Sequence, residues 1–201
     1  PGAVISAIPQ DLKFEGELST AIIGDNTTLR ECVTVNRGTK FSKTTKIGKN
    51  CLLMAYSHVA HDCEIRDNVI IANGVAIAGH VEIEDNAIIG GLSAIQQFSK
   101  IGKFSMVSGG SLVRKNVPPF IKVAKEPLSF IGVNSIGLSR KNYSREKINE
   151  ISLMYKVIFQ QGNNLSHSLK IIEKNFKNTV EKEEIIKFID NSKNGIIKGF
   201  Y

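Results

Sequence analysis

The chain has 201 residues, of which 42% are hydrophobic, and a formal net charge of +7 at pH 7. This length and composition exclude a disordered chain and are typical of one domain with a smaller appendage. No apolar run approaches the ~20 residues of a membrane-spanning helix, and no basic-then-apolar leader opens the chain, so we expect a cytoplasmic protein without an integral membrane segment.

The first segment of the chain only partly follows the repeat that comes after it. Counting back from Ile23 in steps of six residues gives Glu17, Asp11 and Ile5, so Ile5 fits the aliphatic repeat and the two acidic residues do not. We therefore expect residues near 8–20 to leave the core as a loop that exposes Asp11 and Lys13. Because the chain starts at Pro1 within what already looks like a coil, we also expect N-terminal coils that this sequence lacks.

A six-residue period then runs from Ile23 to Val113. Every sixth residue is aliphatic except Phe41, and the fourth residue after each is small or β-branched. Six is neither the strand period nor the helix period. It is the hexapeptide signature of a parallel β-helix, in which three short strands make one triangular coil. We expect sixteen consecutive hexads in register, with the aliphatic residues inside the prism.

The composition changes after Val117. The segment PPF contains two prolines, which cannot donate to a ladder, so we expect the regular strands to end there. Helical periodicity follows in NYSREKINEISLMYKVIFQ, with Ser144 as N-cap, and in LSHSLKIIEKNF and EKEEIIKFIDN, separated by QGNN and KNTV. The sequence thus predicts a β-helix over residues 1–123 and an α-helical domain over residues 124–201 that covers the open end of the prism.

The positive charge is concentrated in the helical part, where residues 140–201 carry +5 of the net +7. This is typical either of a solubilising surface or of a surface that attracts an acidic partner or a phosphate. We do not expect nucleic acid as a partner, because the basic residues are scattered and no aromatic platform accompanies them.

Three of the four histidines come together when the chain is wound into coils. Residues eighteen apart should stack about 4.8 Å apart, the spacing of neighbouring strands. The predicted columns are Lys43, His61, Gly79, Gln97, Lys115 and Thr44, Asp62, His80, Phe98, Asn116. One outward histidine would be an ordinary surface residue, but His58 and His80 beside the pair His61 and Asp62 favour a site. An imidazole next to the N–H of Gly79 suits acyl transfer, because the base deprotonates the attacking group and the N–H stabilises the oxyanion.

A third predicted column carries small residues and leaves a shallow groove on a different face of the prism. Its members are Arg37, Ala55, Asn73, Gly91 and Gly109. One prism cannot bring this groove to the histidines, whereas a threefold ring of subunits joins different faces. We therefore predict a homotrimer with sites between subunits. If the glycines serve only close packing of subunits, a trimer is still expected.

Five segments stand out together, namely RECVTVNRGT, LLMAYSHVAHDC, AGHVEIEDNAIIGG, QQFSKIG and GVNSIGLSRKNYSREKI. They resemble the acyl-carrier-protein:UDP-N-acetylglucosamine O-acyltransferase family, in order from about Gln10 to the C-terminus. The resemblance implies transfer of a 3-hydroxyacyl chain from acyl carrier protein to the glucosamine 3-position of UDP-N-acetylglucosamine, the first step of lipid A biosynthesis. It also implies a left-handed β-helix homotrimer in the cytoplasm of a Gram-negative-type bacterium, without a cofactor. The left hand rests on the resemblance, since crossover rules favour the opposite hand.

The resemblance also implies roles for individual residues. His61 matches the family's catalytic base, Asp62 the carboxylate that orients it and Gly79 the oxyanion donor. The residues that match the surroundings of the glucosamine and the acyl donor are Asp11, Lys13, His58, His80 and Gln97. The UDP-holding segment is matched by Asn134, Arg140 and Lys141, and the acyl groove by Gly91, Met106 and Gly109. Our candidates for docking the acidic carrier protein are Arg145, Lys147 and Lys156.

Some positions depart from the family pattern. Asn36 and Gln96 replace histidines found in some members, Lys141 replaces an arginine, and Ile136 stands where a glutamate helps to bind the nucleotide. These departures concern the nucleotide contacts more than the chemistry.

Three other interpretations remain open. The lipid A N-acyltransferases share the prism, but they typically have Ala-His-Asn where this chain has Ala-His-Asp-Cys. Clustered histidines also suit a metal enzyme of the γ-carbonic-anhydrase type, although the spacing here does not resemble its ligand pattern and we expect no metal. A non-catalytic scaffold is the third.

The chain has an odd number of cysteines, Cys32, Cys51 and Cys63, at spacings that match no zinc pattern. This favours reduced thiols.

Overall fold

The structure is a computed structural model that describes residues 1–160, 162 and 164–199. Two positions of the predicted QGNN connection, 161 and 163, and the last two residues of the predicted helical domain lie outside the described residues. Within the described part, every helix is too short or too polar to cross a membrane.

In the described residues, three sheets of mostly parallel strands form the sides of a triangular prism that winds as a left-handed β-helix. The first sheet contains β1 (Val4–Ala7), β4 (Thr34–Asn36), β7 (His58–Val59), β10 (Ala76–Ile77), β13 (Ala94–Ile95) and β16 (Leu112–Val113). The second contains β2 (Thr20–Ile23), β5 (Thr44–Ile47), β8 (Glu64–Ile65), β11 (Glu82–Ile83) and β14 (Lys100–Ile101). The third begins with β3 (Thr28–Leu29), β6 (Leu52–Leu53), β9 (Ile70–Ile71), β12 (Ile88–Ile89) and β15 (Met106–Val107).

The prism interior follows the hexad prediction from Ile47 onward. The inward aliphatic residue of each of these hexads is at most 2% exposed. At the corners, one residue in six adopts a left-handed backbone with φ near +60°, including Asp62, His80 and Phe98. This conformation turns the chain sharply between strands that are only two residues long, so each hexad supplies one side of the triangle and one corner.

Two loops interrupt the coils, and only one of them was predicted. Residues 8–19 form the expected loop, since β1 ends at Ala7 and β2 begins at Thr20. The prediction that the hexad of Phe41 belongs to the prism was wrong, because Phe41 is 73% exposed. Residues 37–43, which we call the corner loop, connect β4 to β5. They change the pairing register, because Thr20 lies opposite Thr44, an offset of 24 residues instead of the eighteen of the regular repeat.

The corner loop also corrects one predicted column. Ala55 stacks on the coil of Glu31, because the backbone N–H of Tyr56 donates to the carbonyl of Glu31 at 2.9 Å. Arg37 therefore does not belong to the column of Ala55, Asn73, Gly91 and Gly109. It lies at the start of the corner loop instead.

Strands continue past PPF, where the sequence predicted their end. They are β17 (Ile121–Ala124), β18 (Ser129–Val133) and β19 (Lys198–Gly199), all in the third sheet. β17 pairs in parallel with β15, so the prolines occupy only the connection before it. The chain can resume the coil because Pro118 and Pro119 fall outside the ladder.

In the part of the chain that the structure describes, four helices pack at the end of the prism. They are α1 (Ser135–Arg140), α2 (Arg145–Gln160), α3 (Leu165–Asn175) and α4 (Val180–Asp190). The last three match the predicted periodic segments, whereas α1 is too short to show a period. The hydroxyl of Tyr155, fully buried on α2, donates to the carbonyl of Pro119 at 2.6 Å and fixes the helices to the last coil.

Candidate active site

The pair His61 and Asp62 lies at the corner between β7 and β8. Neighbours in a straight strand point to opposite faces, but Asp62 has a φ of +58° and turns the chain. As a result His61 Nδ1 and Asp62 Oδ2 are 2.8 Å apart. Both residues are buried, and the carboxylate side chain is fully inaccessible.

The carboxylate of Asp62 is held almost entirely by the corner loop. Its Oδ1 accepts the backbone N–H groups of Thr39 at 3.0 Å and Ser42 at 3.1 Å, and the Ser42 hydroxyl at 2.5 Å. Its Oδ2 accepts the Thr39 hydroxyl at 2.6 Å. Burial alone would raise the pKa of Asp62, but the hydrogen bonds from Ser42, Thr39 and His61 together bring this pKa well below its ordinary value. Asp62 is therefore an anion that accepts the Nδ1 proton of His61 and leaves Nε2 as the free nitrogen of the ring.

Gly79 lies directly against the His61 ring on the next coil. A Cβ at this glycine would be 2.7 Å from both Cε1 and Nε2 of His61, so any larger residue would push the ring away. Among the described residues, the N–H of Gly79 has no hydrogen-bond acceptor. A basic nitrogen and an unused backbone donor are thus side by side.

An aromatic cluster surrounds the second histidine of this corner. The ring of His80 stacks on Phe98 with centroids 4.5 Å apart, and it meets Phe41 edge-on at 4.6 Å and His61 at 5.0 Å. Burial lowers the pKa of His80, against a smaller opposite effect from the Asp62 carboxylate. His80 is held as a neutral ring that forms one wall of the site.

His58 occupies the outer surface of β7, before the corner. Its Nδ1 lies 2.7 Å from the Thr34 hydroxyl on the coil below. Burial, and next the charge of His61, lower the pKa of His58. The ring is therefore neutral and fixed in orientation, which suits it to a hydrogen bond with a ligand at the corner.

Three further predicted residues also lie on this side of the molecule. Gln97 is exposed one coil above Gly79, since Phe98 N–H donates to the Gly79 carbonyl at 3.2 Å. Asp11 and Lys13 lie in the loop of residues 8–19, where the Lys13 N–H donates to Asp11 Oδ1 at 3.0 Å. Asp11 is close enough to His80 for its carboxylate to raise the pKa of that ring slightly.

The remaining predicted residues lie on other parts of the same chain. Gly91 and Gly109 are at the corner between the third and the first sheets, and Met106 is on β15. Asn134, Arg140 and Lys141 surround α1, where Asn134 caps the helix: its Oδ1 accepts the Gly137 N–H at 3.2 Å and its Nδ2 donates to the Phe104 carbonyl at 2.9 Å. Arg140, Lys141 and Ile136 are exposed at α1. One chain therefore does not bring these residues to the His61 corner.

Among the residues 1–160, 162 and 164–199, one group of side chains has the composition of a metal site. Potential ligand atoms of His61, Asp62 and His80 lie within 4.8 Å of one another. Both Asp62 oxygens, however, already accept hydrogen bonds from the corner loop and from His61. A metal would have to displace several of these bonds, so the donor set fits a histidine base better than a metal ligand sphere.

Three residues of this site, Thr39, Phe41 and Ser42, were missed by sequence reasoning. Thr39 and Ser42 supply every loop hydrogen bond to Asp62, and Phe41 packs against His80. One signal was present, because Phe41 is the only residue in the inward series that is not aliphatic. It marked the hexad that leaves the prism.

Known proteins match both parts of this architecture. The family described as "Bacterial transferase hexapeptide (six repeats)" matches residues 44–79, and "Udp N-acetylglucosamine O-acyltransferase; Domain 2" matches residues 116–197. An acyl-[acyl-carrier-protein]–UDP-N-acetylglucosamine O-acyltransferase from Aliarcobacter butzleri is 45% identical over 96% of this chain and 75% of its own length. The chain belongs to this O-acyltransferase family.

Further matches agree with this membership. The O-acyltransferase of Gloeothece citriformis is 41% identical over 86% of the chain, which spans 62% of that relative. The crystal structure of a UDP-N-acetylglucosamine acyltransferase from Bacteroides fragilis superposes with a TM-score of 0.97 at 46% identity, over 98% of this chain and 78% of the other. The O-acyltransferase fold therefore extends over nearly the whole chain.

Proposed function

We propose that the protein transfers a 3-hydroxyacyl chain from acyl carrier protein to the glucosamine 3-position of UDP-N-acetylglucosamine, the first step of lipid A biosynthesis. Membership of the O-acyltransferase family supports this activity. The observation that carries it is the contact of His61 with Gly79, on a ring whose other nitrogen is bonded to the Asp62 carboxylate.

The geometry supplies each part of an acyl transfer. His61 Nε2 takes the proton of the sugar hydroxyl, whose oxygen attacks the carbonyl carbon of the thioester. The Gly79 N–H stabilises the negative charge that develops on the carbonyl oxygen. When the C–S bond breaks, the proton on His61 passes to the leaving thiolate of the carrier protein. Asp62 stabilises the imidazolium that exists between these two proton transfers.

We also propose that the active protein is a homotrimer with sites between subunits. In one chain, the His61 corner joins the first sheet to the second, whereas Gly91 and Gly109 lie where the third sheet joins the first. A threefold ring would place the His61 corner of one subunit beside Met106, Gly109 and the α1 segment of its neighbour. The sugar would then contact Asp11, Lys13, His58, His80 and Gln97, and the UDP would contact Asn134, Arg140 and Lys141.

The helical end is the proposed docking surface for the acidic carrier protein. Arg145 and Lys156 on α2 are exposed. The third candidate, Lys147, forms an ion pair with Glu181 at 2.9 Å, so it offers less charge to a partner. A cytoplasmic location agrees with the three unpaired cysteines and with a substrate carried by acyl carrier protein.

The decisive experiment replaces the base. We expect His61→Ala to lower kcat about 10²–10⁴-fold with an acyl carrier protein thioester and UDP-N-acetylglucosamine, the usual contribution of general-base catalysis. Size-exclusion chromatography checks that the variant keeps the oligomeric state of the wild type. A well-folded His61→Ala protein with nearly full transfer activity would refute the proposed mechanism, and full activity that depends on bound zinc would favour a metal enzyme.

A further inference from the structure

We propose that Thr39 and Ser42 are positioning residues of this site. The corner loop holds the Asp62 carboxylate in the one orientation in which it accepts the Nδ1 proton of His61, and it thereby keeps His61 Nε2 directed at the substrate. This inference rests on the proposed function, since it assigns a role to residues that act through Asp62.

The position of the corner loop in the coil supports this role. β4 and β7 are offset by 24 residues while β5 and β8 are offset by 18, so the six additional residues enter the chain at the corner directly below His61 and Asp62. On the two coils above, the residues equivalent to Asp62 are His80 and Phe98. The strands on both sides of these two corners keep the offset of eighteen residues, so no loop is inserted there. The only coil corner with a carboxylate in this column therefore has six added residues beneath it.

The hydrogen bonds show what these residues do. Thr39 and Ser42 give four bonds to the carboxylate, two from backbone N–H groups and two from hydroxyls, and these occupy both oxygens. The Asp62 backbone N–H is fixed as well, since it donates to the Thr45 hydroxyl at 2.9 Å. A carboxylate with this set of donors cannot rotate without losing several charge-assisted bonds. The corner loop, on the coil below, therefore fixes the direction of the hydrogen bond between Asp62 and His61.

Ser42 is the better residue for a test. It is exposed, so Ser42→Ala leaves no cavity in the core, and the alanine keeps the backbone N–H that also bonds Asp62. Thr39 is 5% exposed, and Thr39→Val removes its hydroxyl without a change of shape. Thr20→Ala is the matched control, because the Thr20 hydroxyl bonds Thr44 at 3.1 Å at the base of the loop and does not touch Asp62.

We expect Ser42→Ala to lower kcat about ten-fold, the effect of losing one hydrogen bond to a charged group, with KM within about two-fold of the wild type. Ser42→Thr should retain most of the activity, and Thr20→Ala all of it. Thr39→Val should repeat the effect of Ser42→Ala. Steady-state kinetics and thermal unfolding of the same preparations separate loss of positioning from loss of folding.

A double-mutant cycle distinguishes positioning from a structural role. If Ser42 acts through Asp62, Ser42→Ala should have no further effect on kcat in a protein that already carries Asp62→Asn. An undiminished ten-fold loss in that background, or wild-type kcat in both Ser42→Ala and Thr39→Val, would overturn the inference while the proposed function stands. A wild-type protein without transfer activity would refute the proposed function, and this inference with it.

Discussion

The regular coils above His61 and the corner loop below it obey different rules. In the coils of residues 64–113, strands pair at a constant offset of eighteen residues and the inward side chains are at most 2% exposed. In the corner loop the offset changes, Phe41 is 73% exposed, and the polar groups converge on one carboxylate. The regular part provides a rigid frame, whereas the interruption provides the local hydrogen bonds that a regular coil cannot supply.

The largest effect on kcat in this comparison is expected for a substitution in the regular coils, at Gly79. Gly79→Ala would place a methyl group 2.7 Å from the His61 ring and displace it from Asp62. We expect kcat to fall about 10²-fold, since displacement of a catalytic group by ~1 Å can cost this much. The melting temperature should change little, because a single side chain can move aside. Wild-type kcat in Gly79→Ala would mean that the His61 ring does not need its place beside this glycine.

A second experiment separates stability from activity. Ile77 is fully buried in a regular coil. We expect Ile77→Ala to lower the free energy of unfolding by about 2–5 kcal/mol and to leave kcat of the folded protein unchanged. Phe41→Ala in the corner loop should change the unfolding free energy by no more than about 0.5 kcal/mol, because its ring is mostly exposed. Urea unfolding measures both. Equal losses of stability at the two positions would break the comparison.

The smallest expected effect is a pH dependence of stability. Burial lowers the pKa of His80 in the folded protein, so the unfolded chain binds more protons below the ordinary histidine pKa of about 6.5. This contribution to stability is therefore present at pH 7.5 and decreases as the pH falls through about 6.5. Replacing His80 with asparagine should weaken the pH dependence of the unfolding free energy between pH 7.5 and 5.5, because the ring whose pKa is lowered by burial is then absent. An unchanged slope in urea titrations would show that His80 is not held neutral.

The repeat made most of the fold predictable, because an aliphatic residue at every sixth position leaves few structural alternatives. The same periodicity placed His61, Gly79 and Gln97 on one column and Asp62 beside them. Thr39 and Ser42 could not be assigned in this way, since polar residues at outward positions look alike in sequence and only the shape of the corner loop turns these two toward Asp62. The helix α1 and strand β17 were missed for a different reason: six and four residues are too few to show a period.

The lengths of the two loops have a consequence for how such a protein can acquire new parts. The pairing offsets show that residues 8–19 add twelve residues to one coil and that the corner loop adds six. Both lengths are multiples of the six-residue repeat. Every residue after each insertion therefore keeps its inward or outward orientation. A β-helix can therefore accept a hexad-sized graft at a corner without any change to its core.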